Sequence, residues 1–307
     1  MITISGSLAH DTIMNFPDSF KNHILPDKIH QLNLSFLVEK FTKNFGGCAG
    51  NIAYNLALLN ENSAVVGILG TDGDKYLAHL KDLKIDTDLI LTKPDSATAA
   101  ATIITDQDDN QISAFYPGAV VPPSDLPLFV AEKKPNLVLL SPTAIAATVN
   151  HALLCERENI PFVFDPGQQT PAFSPPELLS LIKRAAFLIG NDYEIEMISR
   201  RLDLTLEELL QNVPTVIITR GAAGSIIRTK NEIIEISAAR VESVEDPTGA
   251  GDAYRAGFFT GFLRGQELLI CGQMGSVAAA YAVEHHGTQN HKFTENEFIN
   301  RLNQNYS

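Results

Sequence analysis

The segment "DPTGAGDAYRAG" at residues 246–257 joins a glycine turn to the apolar stretch "GFFTGFL". Gly249 and Gly251 can adopt backbone angles that other residues avoid, so that successive N–H groups can turn toward one point. A helix is predicted to follow, and the positive end of its dipole is directed at the same point. Gly249, Ala250 and Gly251 therefore predict an anion-binding turn, and Asp252 lies in the first helical turn behind it.

The position of Asp252 allows two interpretations. A carboxylate in front of an anion-binding turn is well placed to accept a proton from an attacking hydroxyl group, as an aspartate does in kinases. The alternative is a loop followed by a capped helix that has no chemical role. The rest of the sequence has to decide between these two.

Composition and charge restrict the possible partners. The chain has 307 residues, of which 45% are hydrophobic and 19% charged, and its formal net charge is −13. This charge argues against nucleic acid or an anionic membrane surface as a partner, and a bound phosphate would need local backbone donors and a metal. The three cysteines have no metal-site or disulfide spacing. Because the sequence has neither a secretory signal nor an apolar run of about 18 residues, we expect a cytoplasmic protein with no membrane span.

Short apolar runs alternate with helical patterns along the chain. The strand-like runs are found at 1–8, 63–70, 135–142, 160–167, 185–192 and 214–221. The helical patterns are found at 49–60, 72–83, 144–158, 193–200, 205–211, 250–264, 267–285 and 294–304. This alternation predicts an α/β fold with a doubly wound, mainly parallel sheet flanked by helices.

Two segments have a different pattern, in which polar and apolar residues alternate. They lie at about 12–45 and 96–118, and the second reads as two strands joined by the turn "DQDDNQ". Strands of this kind have one solvated face, so they do not belong in a buried parallel sheet. We interpret both segments as a small β lid inserted in a single domain that spans residues 1–307.

Common nucleotide and hydrolase motifs are absent from the sequence. It contains neither the P-loop pattern nor a dinucleotide-binding G-x-G-x-x-G, and neither H-E-x-x-H nor G-x-S-x-G. The adjacent histidines of "EHHG" point apart if they lie on a helix, which disfavours a shared metal site.

Four motifs in order resemble those of the ribokinase-like (PfkB) family of sugar and nucleoside kinases. They are "DPTGAGDAYRAGFF", "FGGCAGNIAYNLALL" at 45–59, "GND" with Glu194, and "TRGAAG" at 219–224. The resemblance extends over nearly the whole chain. It implies an ATP- and Mg²⁺-dependent kinase, in some members also K⁺-dependent, with a ribokinase-like fold and a β lid.

The resemblance also implies a role for each matching residue. Asp252 would be the catalytic base, and Gly249, Ala250 and Gly251 the anion hole. The positions matching the substrate-binding group are Asp11 near the end of the first strand, Gly46, Gly47 and Asn51. The positions matching the ATP and phosphate site are Asn191, Thr219, Gly221, Gly224 and Gly287. Glu194 would bind Mg²⁺ through water, and Asp246 would contribute to a monovalent cation site.

Several of these residues also have ordinary structural interpretations. Asp246 could be only a turn residue, Asp11 could terminate a strand, and Asn51 could occupy a polar helix position. Arg220 could be a phosphate ligand or a solvated charge. Phe115 in the lid could stack on a substrate base, or it could contribute only to lid packing.

The substrate is predicted from the lid. The stretch at 16–56 and the segment "DDNQISAFYPGA" resemble bacterial adenosine kinases more than ribokinase or the fructokinases. An apolar lid with aromatic residues suits a purine base, whereas a free sugar needs more hydrogen-bonding partners. We expect an adenosine kinase that acts as a monomer or a homodimer. The alternatives are a sugar kinase of the same family and a non-catalytic nucleotide-binding regulator.

Overall fold

The computed structural model describes residues 1–25, 31, 33–108 and 110–306, which form thirteen strands and nine α-helices. The strands are β1 (Ile2–Ser5), β2 (Ala9–Asn15), β3 (Lys40–Gly46), β4 (Ser63–Leu69), β5 (Ile90–Thr92), β6 (Ala99–Thr105), β7 (Gln111–Tyr116), β8 (Leu137–Leu140), β9 (Phe162–Phe164), β10 (Phe187–Asn191), β11 (Thr215–Thr219), β12 (Ser225–Thr229) and β13 (Ile233–Ile236). The helices are α1 (Cys48–Leu58), α2 (Asp74–Asp82), α3 (Ile145–Glu158), α4 (Pro175–Arg184), α5 (Asp192–Leu202), α6 (Leu206–Leu209), α7 (Ala250–Leu263), α8 (Leu268–Val283) and α9 (Glu295–Tyr306).

The larger sheet contains nine strands in the order β13-β12-β11-β10-β9-β8-β1-β4-β5. From β5 to β11 all neighbouring strands are parallel, whereas β12 and β13 add an antiparallel hairpin at one edge. The chain proceeds outward from β1 in both directions, which confirms the predicted doubly wound, mainly parallel sheet.

Both faces of this sheet are covered, as the continuous apolar runs predict. In β8, Val138 and Leu140 pack into one core with α3, α4 and α5. Leu137 and Leu139 point to the opposite face and pack into a second core with α1, α2, α7 and α8. Among the described residues, no helix combines the length and the apolar character needed to cross a membrane.

The smaller sheet contains four strands in the order β3-β2-β6-β7. Asp11 of β2 is paired with Asn44 of β3 and with Ala101 of β6, and Ala101 is paired with Phe115 of β7. Paired residues lie on one face of a sheet, so Asp11 and Phe115 share a face. Strand β3 leads directly into α1 through Gly47, which places one end of this sheet beside the larger one.

The structure also corrects some of the predictions. Strands β5, β12 and β13 and helix α4 were not predicted. The placement of Asp11 near the end of the first strand is wrong, because β1 ends at Ser5 and Asp11 lies within β2 of the smaller sheet. Parts of the predicted lid segments, residues 26–30 and 32 in the first and residue 109 in the second, lie outside the described residues.

Candidate active site

Two of the predicted polar residues, and one that was not predicted, lie at the carboxyl ends of the parallel strands. Asp165 follows β9, Asn191 ends β10 and Thr219 ends β11. Asn191 and Thr219 are neighbours in the register of β10 and β11. Ligands of open α/β sheets bind at this edge, where the side chains of several strands converge.

At the start of α7, Gly249 has the unusual backbone conformation that was predicted, whereas Gly251 lies within the helix and has no positive φ. Gly249 is the residue before the helix, and its φ of 82° lies in the left-handed region. A β-carbon at position 249 would lie 2.9 Å from the side chain of Thr288, so the site excludes larger residues sterically as well. The first N–H groups of a helix have no partners within the helix, and they point away from its start. The N–H of Ala250 donates to the carbonyl oxygen of Pro247 over 3.3 Å. The predicted set of three donors is therefore reduced, and the turn offers the N–H groups of Gly249 and Gly251 to an anion.

Asp252 lies in the first turn of α7 and is half-buried. Its Oδ2 accepts a hydrogen bond from Nδ2 of Asn51 over 2.9 Å. Burial raises the pKa of Asp252 to about 6, although the Arg255 guanidinium and the Asn51 hydrogen bond act in the opposite direction. A carboxylate with this pKa is ionised at neutral pH and is more basic than an exposed aspartate, which suits proton acceptance.

An ion pair that sequence reasoning missed lies beneath the turn. Arg255 is 7% exposed and Asp165 is 2% exposed. Nε and Nη2 of Arg255 donate to the two carboxylate oxygens of Asp165 over 2.5 and 2.7 Å. Asp165 could have been found from the sequence, because it comes directly after a buried parallel strand, at the carboxyl edge of the sheet.

Tyr254, the neighbour of Arg255, has a structural role. It is buried, and its hydroxyl group forms a 2.8 Å hydrogen bond with Oγ of Ser225, the first residue of β12. The hydrogen bond of Tyr254 thus links α7 to the edge hairpin of the larger sheet. The ion pair of Arg255 links α7 to the loop after β9.

Asp11 and the glycine pair before α1 form the wall of the site next to Asp252. The carboxylate of Asp11 packs so closely on Gly46 that a β-carbon at position 46 would lie 2.0 Å from Oδ2. Gly47 has a φ of 84° and precedes α1, which carries Asn51. Burial, together with the nearby Asp246 carboxylate, raises the pKa of Asp11 to about 6.

Asn191 and Glu194 cap the start of α5 reciprocally. Oδ1 of Asn191 accepts from the Glu194 N–H over 2.8 Å, and Oε2 of Glu194 accepts from the Asn191 N–H over 2.8 Å. Burial raises the pKa of Glu194. The N-x-x-E motif is therefore a helix cap whose carboxylate lies at the sheet edge.

The remaining predicted nucleotide residues lie on two loops. Gly221 and Gly224 both have positive φ after β11, and a β-carbon at Gly221 would meet no atom within 4 Å, so this loop borders open space. Gly287 lies in the loop after α8, where its N–H donates to Oδ2 of Asp246 over 3.0 Å. Oδ1 of Asp246 accepts from the Thr248 N–H over 2.9 Å, so Asp246 also organises its own turn.

Phe115 and Arg220, which were considered in the sequence, and Ser276 of α8 have clear positions. Phe115 is 60% exposed on β7. Arg220 donates from Nη2 to the carbonyl oxygen of Ala223, across the glycine loop. Ser276 is buried in α8 and accepts a hydrogen bond from the Ala239 N–H, so it holds a loop of the fold.

Comparison with known proteins identifies the family to which the chain belongs. Residues 18–295 match the family model described as pfkB family carbohydrate kinase. The chain belongs to the PfkB family. This PfkB kinase is therefore a phosphotransferase that acts on a hydroxyl group, and the family implies ATP as the phosphate donor.

Relatives of this PfkB kinase include proteins named for nucleosides and for ribose. A nucleoside kinase of Methanocaldococcus jannaschii is 33% identical over 306 residues, which cover 98% of this chain and 96% of the relative. A ribokinase of Staphylococcus aureus is 28% identical over 271 residues, which cover 82% and 86%.

Among solved structures, Burkholderia thailandensis nucleoside kinase in complex with inosine superposes on this PfkB kinase with a TM-score of 0.90. That chain is 36% identical, and the match covers 100% of this chain and 98% of the other. The structure of the M. jannaschii nucleoside kinase, described as an archaeal member of the ribokinase family, has a TM-score of 0.88 at 32% identity over 99% and 98% of the two chains. These superpositions confirm the predicted ribokinase-like fold.

Proposed function

We propose that this PfkB kinase is a nucleoside kinase that transfers the γ-phosphoryl group of ATP to the 5′-hydroxyl group of adenosine, forming AMP and ADP. Support comes from the M. jannaschii and B. thailandensis relatives, which are named nucleoside kinases. Support also comes from the smaller sheet, whose face bears Asp11 together with apolar side chains.

The observation that carries the choice of a nucleoside is the register of the smaller sheet. Asp11, Ala101 and Phe115 lie side by side across β2, β6 and β7, and Ile13 and Ile103 lie on the same face. Neighbouring strands are about 4.8 Å apart, so Phe115 lies about 10 Å from Asp11 across the sheet. This span matches a ribose bound at Asp11 and a base that extends toward Phe115.

The character of this face also favours a nucleoside over a free sugar. The part of this face between Asp11 and Phe115 consists of Ile13, Ala101 and Ile103, which have no hydrogen-bonding side-chain groups, and the polar Asn44, Thr42 and Ser113 lie beside it on the same face. A free sugar has hydroxyl groups around its ring and loses hydrogen bonds to water on such a surface, whereas a purine base gains apolar and stacking contact.

Asp252 performs the proton transfer in this proposal. One of its oxygens takes the proton of the 5′-hydroxyl group as the hydroxyl oxygen bonds to the γ-phosphorus, and the bond from that phosphorus to the bridging oxygen of ADP breaks. The N–H groups of Gly249 and Gly251 stabilise the charge on the transferred group, while that of Ala250 donates to the carbonyl oxygen of Pro247. The smaller sheet acts as a lid that excludes water, so that ATP is not hydrolysed.

The residues at the carboxyl edge of the sheet suit ATP and Mg²⁺. The loop with Gly221 and Gly224 borders open space that phosphates and ribose could occupy, and Thr219 adds a hydroxyl group. Proteins usually hold Mg²⁺ through one or two carboxylates, several waters and the substrate phosphates. Glu194 at the start of α5 fits this pattern; the bound ion would neutralise phosphate charge. The monovalent cation role of Asp246 stays a prediction.

A substrate panel tests the proposal. ADP formation is measured with adenosine, inosine, guanosine, cytidine, ribose and fructose as acceptors. We expect kcat/KM to be highest for adenosine and to fall by at least about 100-fold for the two sugars, because these lack the base. Ribose or fructose turnover above that of adenosine would overturn the nucleoside assignment, and inosine above adenosine would overturn only the choice of base.

Two matched variants test the face of the smaller sheet. Phe115→Ala should raise KM for adenosine about 10-fold, as expected for the loss of one base-stacking contact. Ile112 on the same strand is also exposed but lies on the opposite face, so Ile112→Ala should leave KM unchanged. Equal effects of the two substitutions would contradict a base bound at Phe115.

Asp252→Asn should lower kcat by at least about 100-fold, and unchanged turnover would contradict the role of Asp252 as the general base.

A further inference from the structure

Asp252 is the end of a buried chain of side-chain hydrogen bonds that begins on α2. Nε2 of His79 lies 3.0 Å from Oε1 of Gln289, and Nε2 of Gln289 lies 3.0 Å from Oδ1 of Asn51. Asn51 then contacts Asp252. Gln289 is 6% exposed and Asn51 is 4% exposed, so these two amides are shielded from water.

Tyr76, which also contacts Gln289, determines which group donates and which accepts in this series of hydrogen bonds. The hydroxyl group of Tyr76 lies 2.6 Å from the carbonyl oxygen of Gly46, which can only accept, so Tyr76 must donate there. Its single proton is then used, and the contact of 2.8 Å with Gln289 requires a donor from Gln289. The amide nitrogen of Gln289 therefore faces Tyr76.

The same nitrogen of Gln289 also faces Asn51, so Asn51 must present its oxygen to Gln289. The nitrogen of Asn51 is then turned toward Asp252, where an ionised carboxylate requires a donor. The orientation deduced from the carbonyl group of Gly46 thus agrees with the one that Asp252 requires at the other end. A fully connected network of this kind holds its members in one arrangement.

We propose that Gln289 is a positioning residue, which fixes the direction of the Asn51 amide and thereby keeps a donor on Oδ2 of Asp252. The inference rests on the proposed function for its catalytic meaning, since Asp252 is the base there. Within the described residues no donor contacts Oδ1 of Asp252, so the network leaves this oxygen to receive the proton of the acceptor hydroxyl group.

Other groups near Asp252 also act on its charge and have to be held constant. Arg255 lies on the same helix, Asp165 follows β9, Asp11 lies on β2 and the thiol of Cys48 lies at the start of α1. A substitution at Gln289 alters none of them directly.

The test uses Gln289→Glu, which keeps the side-chain shape and, when ionised, cannot donate to Asn51. Asn51 would have to turn its nitrogen toward the introduced carboxylate and its oxygen toward Asp252. The pKa of Asp252 should then rise by about one unit, the effect of losing one hydrogen bond to a charged group. Gln289→Met removes the partner of Asn51 without reversing it and should shift the pKa by less than about half a unit.

The readout is the titration of the Asp252 carboxyl carbon by ¹³C NMR, with the signal assigned by its loss in Asp252→Asn. This measurement does not depend on turnover. Unfolding midpoints by circular dichroism confirm that each variant is folded. A shift in Gln289→Glu that exceeds the shift in Gln289→Met supports the proposal, and equal shifts or no shift in either variant overturn it.

A double-mutant cycle separates the hydrogen-bond chain from the charge that Gln289→Glu adds. In an Asn51→Ala background the chain is broken, so Gln289→Glu should move the pKa of Asp252 by less than about 0.3 units, a small part of the one-unit effect. A shift as large as in the wild-type background would mean that the added charge acts through space. This would overturn the proposal that Gln289 acts on Asp252 by orienting Asn51.

The pH dependence of kcat/KM distinguishes the failure of this inference from the failure of the proposed function. If Asp252 is the base, the acid limb of kcat/KM in Gln289→Glu moves to higher pH by the same amount as the NMR titration. If Asp252→Asn keeps wild-type turnover, the base assignment fails, while the NMR titration still decides whether Gln289 orients Asn51.

Discussion

Replacement of Arg255 by methionine should destabilise the fold by about 3–5 kcal/mol, because it leaves the carboxylate of Asp165 buried without a partner. Asp165 is 2% exposed, and both of its oxygens accept from Arg255, over 2.5 and 2.7 Å. Water cannot replace the lost donors at this burial. Methionine has nearly the length of the arginine stem, so little packing is lost.

A matched control separates burial from ion pairing as such. Arg184 pairs with Glu156 over 2.9 Å, but the two side chains are 31% and 56% exposed. Arg184→Met should therefore cost less than about 1 kcal/mol, because water solvates the freed carboxylate.

A double variant identifies the cause of the stability loss in Arg255→Met. Arg255→Met combined with Asp165→Leu removes both charges and fills the site with apolar atoms. Its stability should return to within about 2 kcal/mol of the wild type, since apolar replacement of a buried pair is often neutral. The assay is equilibrium urea unfolding followed by circular dichroism, which suits a chain without tryptophan. If Arg255→Met and Arg184→Met cost the same, or if the double variant is no more stable than Arg255→Met, the argument from buried charge is refuted.

Two further predictions concern the glycine turn and the proposed base. Gly249→Ala should lower stability by about 1–2 kcal/mol and reduce kcat more than KM, because position 249 requires a positive φ and crowds Thr288. Gly265 also has positive φ, but a β-carbon there would meet no atom within 4 Å, so Gly265→Ala should cost only about 1 kcal/mol and leave kcat unchanged; the reverse order would contradict a functional turn. Asp252→Asn should stabilise the protein by about 1–2 kcal/mol at pH 8, because a folded-state pKa of about 6, above the ordinary 3.8, makes the ionised carboxylate unfavourable in the fold. The gain should disappear in urea titrations below about pH 4, where the folded wild type is protonated, and a gain that persists there would contradict this cause.

Local patterns in the sequence were sufficient to predict the larger sheet. The strand-like runs are apolar on successive positions, and only a sheet covered on both faces can bury them. Helix α4 was missed although its start carries a clear signal. Ser174 and Glu177 form a capping box around Pro175 and Pro176, which are favourable at the first helical positions.

The edge hairpin was missed for a different reason. Strands β12 and β13 have five and four residues; β12 mixes buried and half-buried positions, and β13 mixes buried and exposed positions. Patterns this short do not distinguish a strand from a loop, and the strands are stabilised by pairing of β12 with β11 and of β13 with β12. The prediction for Asp11 failed similarly, because the chain leaves β1 after Ser5 and continues as β2 in another sheet without a marked break in the sequence.

The contacts that set the chemistry of the site could not be predicted, because they join residues far apart in the chain. Asp165 and Arg255 are 90 positions apart, and Asn51 and Gln289 are 238 apart. Each residue alone has an ordinary interpretation as a loop acid, a helix cation or a polar amide. The packing of α7 against the loop after β9 brings Asp165 and Arg255 together, and the loop after α8 brings Gln289 to Asn51 on α1.

These distant contacts explain how the basicity of Asp252 is set. Burial alone would favour its protonated form, and a base that is mostly protonated at neutral pH could not accept the proton of a hydroxyl group. A fully exposed aspartate, in contrast, would be too weak a base. Arg255 opposes the effect of burial, but its Nε and Nη2 donate to Asp165, so it neutralises Asp252 only in part. The resulting pKa of about 6 lies between these extremes, near the pH at which a general base combines ionisation with proton affinity.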